Sequence, residues 1–170
     1  MRVVEGRLDG RGLRVGLVAS RFNEAVVERL VEGAQRCLRQ HGVADGALEL
    51  VWVPGAMEVP LGLAELIEGN RGDALVALGA VIRGETPHFD HVARAVSDGV
   101  AALARLRRVP IGFGVLTVNS VAQAEERAGG KLGNKGFEAA QAAIEMVSVL
   151  EQLRRDAGEE LRVPRPVLSR

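Results

Sequence analysis

The chain has 170 residues, Lys plus Arg equals Asp plus Glu at 22 each, and there is one cysteine. That balance leaves no global field to attract nucleic acid or an anionic membrane, and a lone thiol excludes intramolecular disulfides and thiolate metal clusters. No apolar run reaches roughly 18 residues and residues 1–12 do not read as a secretory leader, so a cytoplasmic protein with one core is expected. The expected organisation is an N-terminal arm (1–12), one domain (13–155) and a C-terminal tail (156–170) whose charges and prolines predict little regular structure.

In chain order, Leu13 to Ala19 reads as a buried strand. Ser20-Arg21-Phe22-Asn23 follows, with Asn23 placed to cap a helix running to about Gln40. Cys37 falls among Val26, Leu30, Ala34 and Leu38 at helical spacing and is expected as a buried, inert thiol. His41 suits a helix C-terminus, and Gly42 the left-handed position after it. Leu48 to Val53 predicts a second strand, broken by Pro54-Gly55 before a helix from about Met57 to Glu68. Trp52 reads as a core or interface residue.

Ala74 to Ile82 is almost uninterrupted apolar sequence, as in a strand covered on both faces of a parallel sheet. Past it, Val92, Val96, Val100 and Leu103 predict a helix to about Arg108. Thr86 is read as its N-cap and Pro87 as its first residue, with His88 in the first turn. Ile111 to Val118 predicts a fourth strand, and Ser120 and Gln123 have capping-box spacing on a short helix. Gly129 to Gly136 is expected as a flexible connection, and a last helix from about Asn134 to Arg155 carries Ala140, Ala143, Ile144, Val147 and Leu150 on one stripe.

Strands alternating with helices predict a three-layer α/β/α sandwich around a flavodoxin-like, four-stranded parallel sheet. Ligands of such sheets gather at the carboxyl ends of the strands, where Phe22, Glu58, Thr86 and His88 would meet. A helix start presents free N–H groups and the positive end of a dipole, so Gly84, Glu85 and Thr86 form a candidate phosphate cradle. The same dipole disfavours imidazolium and favours His88 as a neutral proton carrier. Phe22 reads equally as a stacking ring or a staple residue, Glu58 as a hydrogen-bonding partner or a first-turn acid, and Arg127 and Lys135 as phosphate ligands or solvated cations. His91 shares a helix face with His88, but no third ligand suggests itself for a metal.

Four segments, Ser20 to Asn23, Val53 to Pro60, Gly79 to His91 and Glu126 through Gly136, together resemble the 6,7-dimethyl-8-ribityllumazine synthases, over Leu13 to about Leu153. The resemblance implies a transferase of riboflavin biosynthesis. It would condense 5-amino-6-(D-ribitylamino)uracil with 3,4-dihydroxy-2-butanone 4-phosphate, releasing phosphate and water with no metal or organic cofactor. Carried over, Phe22, Ala56, Met57, Glu58, Ala80, Val81 and Ile82 bind the pyrimidine and its ribityl chain. Glu85, Thr86 and Arg127 hold the phosphate, and His88 transfers protons. Phe113, Arg127 and Lys135 come from a neighbouring subunit of a pentamer, and twelve pentamers form a 60-subunit shell in some members; riboflavin synthase is an implied partner. Met57, Phe137 and Pro87 depart from the aromatic, tryptophan and threonine expected there. A different class of reading is a non-catalytic flavin- or lumazine-binding or shell-forming protein on the same fold.

Overall fold

Four apolar segments form one parallel sheet, β1 (Val15–Ser20), β2 (Leu48–Val53), β3 (Ala74–Ile82) and β4 (Ile111–Val118), in the order β2-β1-β3-β4. The computed structural model describes residues 1–156; the expected tail beyond Asp156 lies outside them. The helices are α1 (Glu24–Gln40), α2 (Val59–Glu68), α3 (His88–Arg107), α4 (Val121–Arg127) and α5 (Lys135–Asp156). A 3₁₀ turn, Ala56–Glu58, precedes α2, where a longer helix from Met57 was expected.

Strand alternation divides the interior in two. Val15, Leu17 and Ala19 of β1 and Ala74, Val76, Leu78 and Ala80 of β3 pack with Leu30, Leu38, Ala140 and Ile144 from α1 and α5. Their neighbours Val18, Leu75, Ala77 and Val81 pack with Val59, Leu63, Val96 and Val100 from α2 and α3. A strand buried on both faces has no polar position to spare, which is why β1 and β3 read as continuous apolar runs. Each fully buried leucine contributes roughly 1.5–3 kcal/mol of burial. Cys37 is fully buried in the first cluster, as expected.

Backbone approach sets the α5 layer. A Cβ on Gly112 would overlap the carbonyl of Ala139, and one on Gly136 the carbonyl of Leu30, so α5 lies directly on β4 and its first turn on α1. The arm follows α5 backwards. Arg7 N–H donates to Ser148 Oγ at 2.6 Å, and Gln152 Nε2 donates to the Glu5 carbonyl at 2.8 Å. No helix among the described residues is long and apolar enough to cross a membrane.

Four local expectations are corrected. Pro87, not Thr86, is the N-cap residue of α3, which starts at His88 without a side-chain cap. Asn23 does sit at the N-cap of α1, but in the left-handed conformation (φ 62°) with its amide turned elsewhere; asparagine tolerates that region better than most residues. Ser120 Oγ accepts from Gln123 N–H at 3.2 Å, yet Gln123 Oε1 accepts from Asn119 N–H at 2.8 Å, one residue before the capping-box partner. Residues 129–136 are not a plain flexible link: β5 (Ala128–Gly130) and β6 (Gly133–Asn134) pair antiparallel, with Gly129 and Gly133 at positive φ. Leu132 N–H donates to the Glu126 carbonyl at 2.9 Å and Lys131 pairs with Glu126 at 2.8 Å, which holds the turn against α4.

Candidate active site

Every turn at the carboxyl edge of the sheet is tied to a neighbouring strand. Arg21 N–H donates to the Val53 carbonyl at 2.8 Å and Phe22 N–H to the Pro54 carbonyl at 3.2 Å, joining the ends of β1 and β2. Asn23 Nδ2 donates to the Ala80 carbonyl at 2.8 Å, joining the β1 turn to β3. Arg83 N–H donates to the Val118 carbonyl at 2.8 Å, joining β3 to β4. Parallel strands in register, followed by backbone-anchored turns, bring the segments that follow β1, β2 and β3 to one edge.

On that edge Phe22 is 72 % exposed and Met57 50 % exposed. Apolar groups left in water at the mouth of a sheet are available to stack on a planar ligand. Glu58 is exposed in the 3₁₀ turn after β2, while Ala56 beside it is buried. Ala80 and Val81 are buried, and Ile82 is half-buried where β3 ends. Gly84, Glu85, Thr86 and His88 are all exposed, so the loop between β3 and α3 is open to an anion and the imidazole to a reacting group. The N–H groups of His88 and Phe89, in the uncapped first turn of α3, face no intrahelical acceptor.

Of the other expected site residues, Phe113 lies apart from this edge, while Arg127 and Lys135 bond within their own helices. Phe113, 43 % exposed, stands opposite Ala77 in the middle of β4. Val118 is five positions further on, about 16 Å of strand at about 3.3 Å per residue. It lines an apolar groove of about 270 Å³ with Ser97, Val100, Ala101, Ala104 and Ile111, on the edge strand of the sheet. Arg127 Nη1 donates to the Gln123 carbonyl at 3.1 Å at the end of α4, and Lys135 Nζ to Glu138 at 2.6 Å in the first turn of α5.

Two supporting residues were not legible as such in the sequence. Asn23 has the residue type of a helix cap, and nothing local shows that its amide bonds a carbonyl 57 positions on. Asn134, read only as an approximate helix start, caps α5: its Oδ1 accepts from Phe137 N–H at 3.0 Å, while its Nδ2 donates to the Arg29 carbonyl at 2.7 Å. Asparagine three residues before an N–H it could bond was the available signal. Among the described residues no group of three or more His, Cys, Asp or Glu comes together.

The family model for 6,7-dimethyl-8-ribityllumazine synthase matches residues 12–151. The chain belongs to that family. The match runs from before β1 into α5 and so covers the carboxyl-edge residues as well as Phe113, Arg127 and Lys135. As a lumazine synthase family member the protein is a transferase of riboflavin biosynthesis, acting on small molecules as a homo-oligomer. Its parallel α/β sandwich is the fold expected of such a chain.

Proposed function

We propose that the protein condenses 5-amino-6-(D-ribitylamino)uracil with 3,4-dihydroxy-2-butanone 4-phosphate to 6,7-dimethyl-8-ribityllumazine, releasing phosphate and water. The observation that carries the reading is the convergence of an exposed ring, a carboxylate, an uncapped helix start and an exposed imidazole on one sheet edge of a lumazine synthase family chain. Phe22 stacks on the pyrimidine, with Ala56, Met57 and Glu58 and the strand end Ala80, Val81 and Ile82 binding that ring and its ribityl chain. Glu85 and Thr86 contribute the loop that holds the phosphate, and Arg127 adds a charge-assisted hydrogen bond.

The reaction adds an amine to a ketone, loses water to form an imine, expels phosphate, and closes the ring by attack of the second amine on the remaining carbonyl with loss of a second water. Each step moves a proton between nitrogen, carbon and oxygen, and His88 can relay them in sequence. Holding both substrates in contact removes a bimolecular entropy cost, and this supplies much of the rate.

Phe113, Arg127 and Lys135 serve the edge of a neighbouring copy in this reading. The half-exposed ring and apolar groove on the unpaired side of β4 support a pentamer that buries them. The short β5–β6 turn is compatible with assembly of pentamers into a shell, and a cytoplasmic setting with riboflavin synthase as partner completes the proposal. Domain limits of 13–155 follow from the same reading.

Mixing the purified protein with both substrates, following lumazine absorbance and measuring particle mass by light scattering, tests it. Product formation by a particle of five subunits or a multiple of five is expected. Arg127→Ala is expected to weaken the phosphorylated substrate and leave the pyrimidine nearly unaffected; equal weakening of both in calorimetry contradicts the phosphate role.

A further inference from the structure

Arg83 makes more contacts with the β3–α3 region than any role so far gives it reason to. Its backbone N–H bonds the end of β4, and its Nε donates to Asn119 Oδ1 at 3.0 Å on the first residue beyond that strand. The other two guanidinium nitrogens reach Asp90 in the first turn of α3, Nη2 to Oδ1 at 3.1 Å and Nη1 to Oδ2 at 3.5 Å. The guanidinium carbon lies 4.2 Å from the centre of the Phe89 ring. One planar group thus spans from the end of β4 to the two residues that follow His88.

The span matters because α3 has no side-chain cap. A capped helix has its first turn held by a hydrogen bond from the N-cap side chain, and Pro87 has none to offer. Gly84 to Pro87 is a four-residue exposed loop, and past it the first turn of α3 is held by the packing of Phe89 and Val92 on the core and by the Arg83 contacts. We infer that Arg83 is a positioning residue: its fork on Asp90 and stacking on Phe89 tie the first turn of α3 to the end of β4, and fix the anion cradle and the His88 imidazole relative to the sheet. This rests on the reading under Proposed function.

Arginine is the residue this task needs. A planar fork can bond two acceptors on one edge while its face covers a ring; an ammonium offers a point charge and no plane. Asp90 and Asn119 are exposed, so the polar contacts add little to folding, and their effect falls on geometry instead.

The test uses Arg83→Met, Arg83→Lys, Asp90→Asn and the double variant Arg83→Met/Asp90→Asn in the full chain. Expected for each is a fall in kcat of about ten-fold, from a displacement of less than an ångström, with KM for the pyrimidine unchanged and the melting temperature within about 2 °C. The double variant should be no worse than Arg83→Met alone, because both singles break one linkage. Wild-type kinetics in Arg83→Lys, or additive losses in the double variant, would overturn the inference. Titration of wild type and Arg83→Met with inorganic phosphate separates this from the parent reading. Several-fold weaker phosphate binding in the variant supports the clamp even if the wild type makes no lumazine, and equal binding overturns it. A wild type that neither forms product nor binds phosphate overturns both.

Discussion

Replacing Asn134 isolates how a distant tether holds the β5–β6 turn and the start of α5. Its side chain makes two bonds of opposite sense, accepting from Phe137 N–H at 3.0 Å and donating to the Arg29 carbonyl of α1 at 2.7 Å. The amide also lies against Gly33, where any Cβ would overlap it. Asn134→Ala removes an N-cap, about 1 kcal/mol, and a second intramolecular bond with a net value of about 1 kcal/mol. The sum of about 2 kcal/mol corresponds to a melting temperature lower by about 4–8 °C for a chain of this length. Asn134→Asp is the sharper variant. Aspartate caps helices as well as asparagine does, so a role limited to capping predicts a wild-type melt. A carboxylate cannot donate to the Arg29 carbonyl and sets like partial charges together, so a loss of similar size to Asn134→Ala is expected. Calorimetric melts at one fixed protein concentration decide the matter, since the stability of an oligomer depends on concentration. If Asn134→Asp melts with the wild type, the bond to α1 carries no weight and the two-bond argument is wrong.

His88→Ala should slow turnover by only about 10- to 100-fold, below or at the low end of the usual general acid–base contribution, because positioning supplies the remainder; steady-state kinetics that show complete loss with an intact fold would refute that division. Burial pushes the Asp73 carboxyl up, but hydrogen bonds from the Arg14 side chain and backbone N–H outweigh it and hold the pKa below the usual carboxylate value. A depressed carboxylate contributes stability above its unfolded pKa of about 3.9 and loses it as pH falls through the lower folded value. Asp73→Asn is therefore expected to be less stable than wild type at pH 7, with the gap closing below about pH 4 in denaturant titrations; a gap constant down to pH 3 would count against the pairing. Burial also pushes the Cys37 thiol up to about 11. Iodoacetamide at pH 7.5 should leave it unmodified by mass spectrometry until denaturant is added, and rapid labelling of the native protein would contradict its placement.

The amino-acid sequence alone determined β2, β3 and β4 to the residue: β3 because a strand buried on both faces must be a continuous apolar run, and the half-exposed edge strands β2 and β4 because turn residues such as Pro54-Gly55 and Asn119-Ser120 mark where they stop. The layer order followed from alternation of strands and helices, and the carboxyl-edge position of Phe22, Glu58, Thr86 and His88 followed from that order. Helix starts were less legible. Thr86 and Asn23 have the chemistry of N-caps, but Pro87 takes the first place and the Asn23 amide is drawn to Ala80. For Asn23 the choice is made by an acceptor far along the chain, and local propensity is a weak opponent of a well-aligned hydrogen bond.

Only the tertiary structure decided which polar side chains bond to each other across the fold. Arg83 and Asn119 are 36 positions apart, and Asn134 and Arg29 are 105 apart. Only the tertiary structure, too, made the strand that carries Phe113 an edge strand of the sheet. Periodicity records which face of an element is buried, because burial recurs at every turn or every second residue. A single hydrogen bond or ring contact across the fold has no period, and so leaves no pattern in the sequence to read.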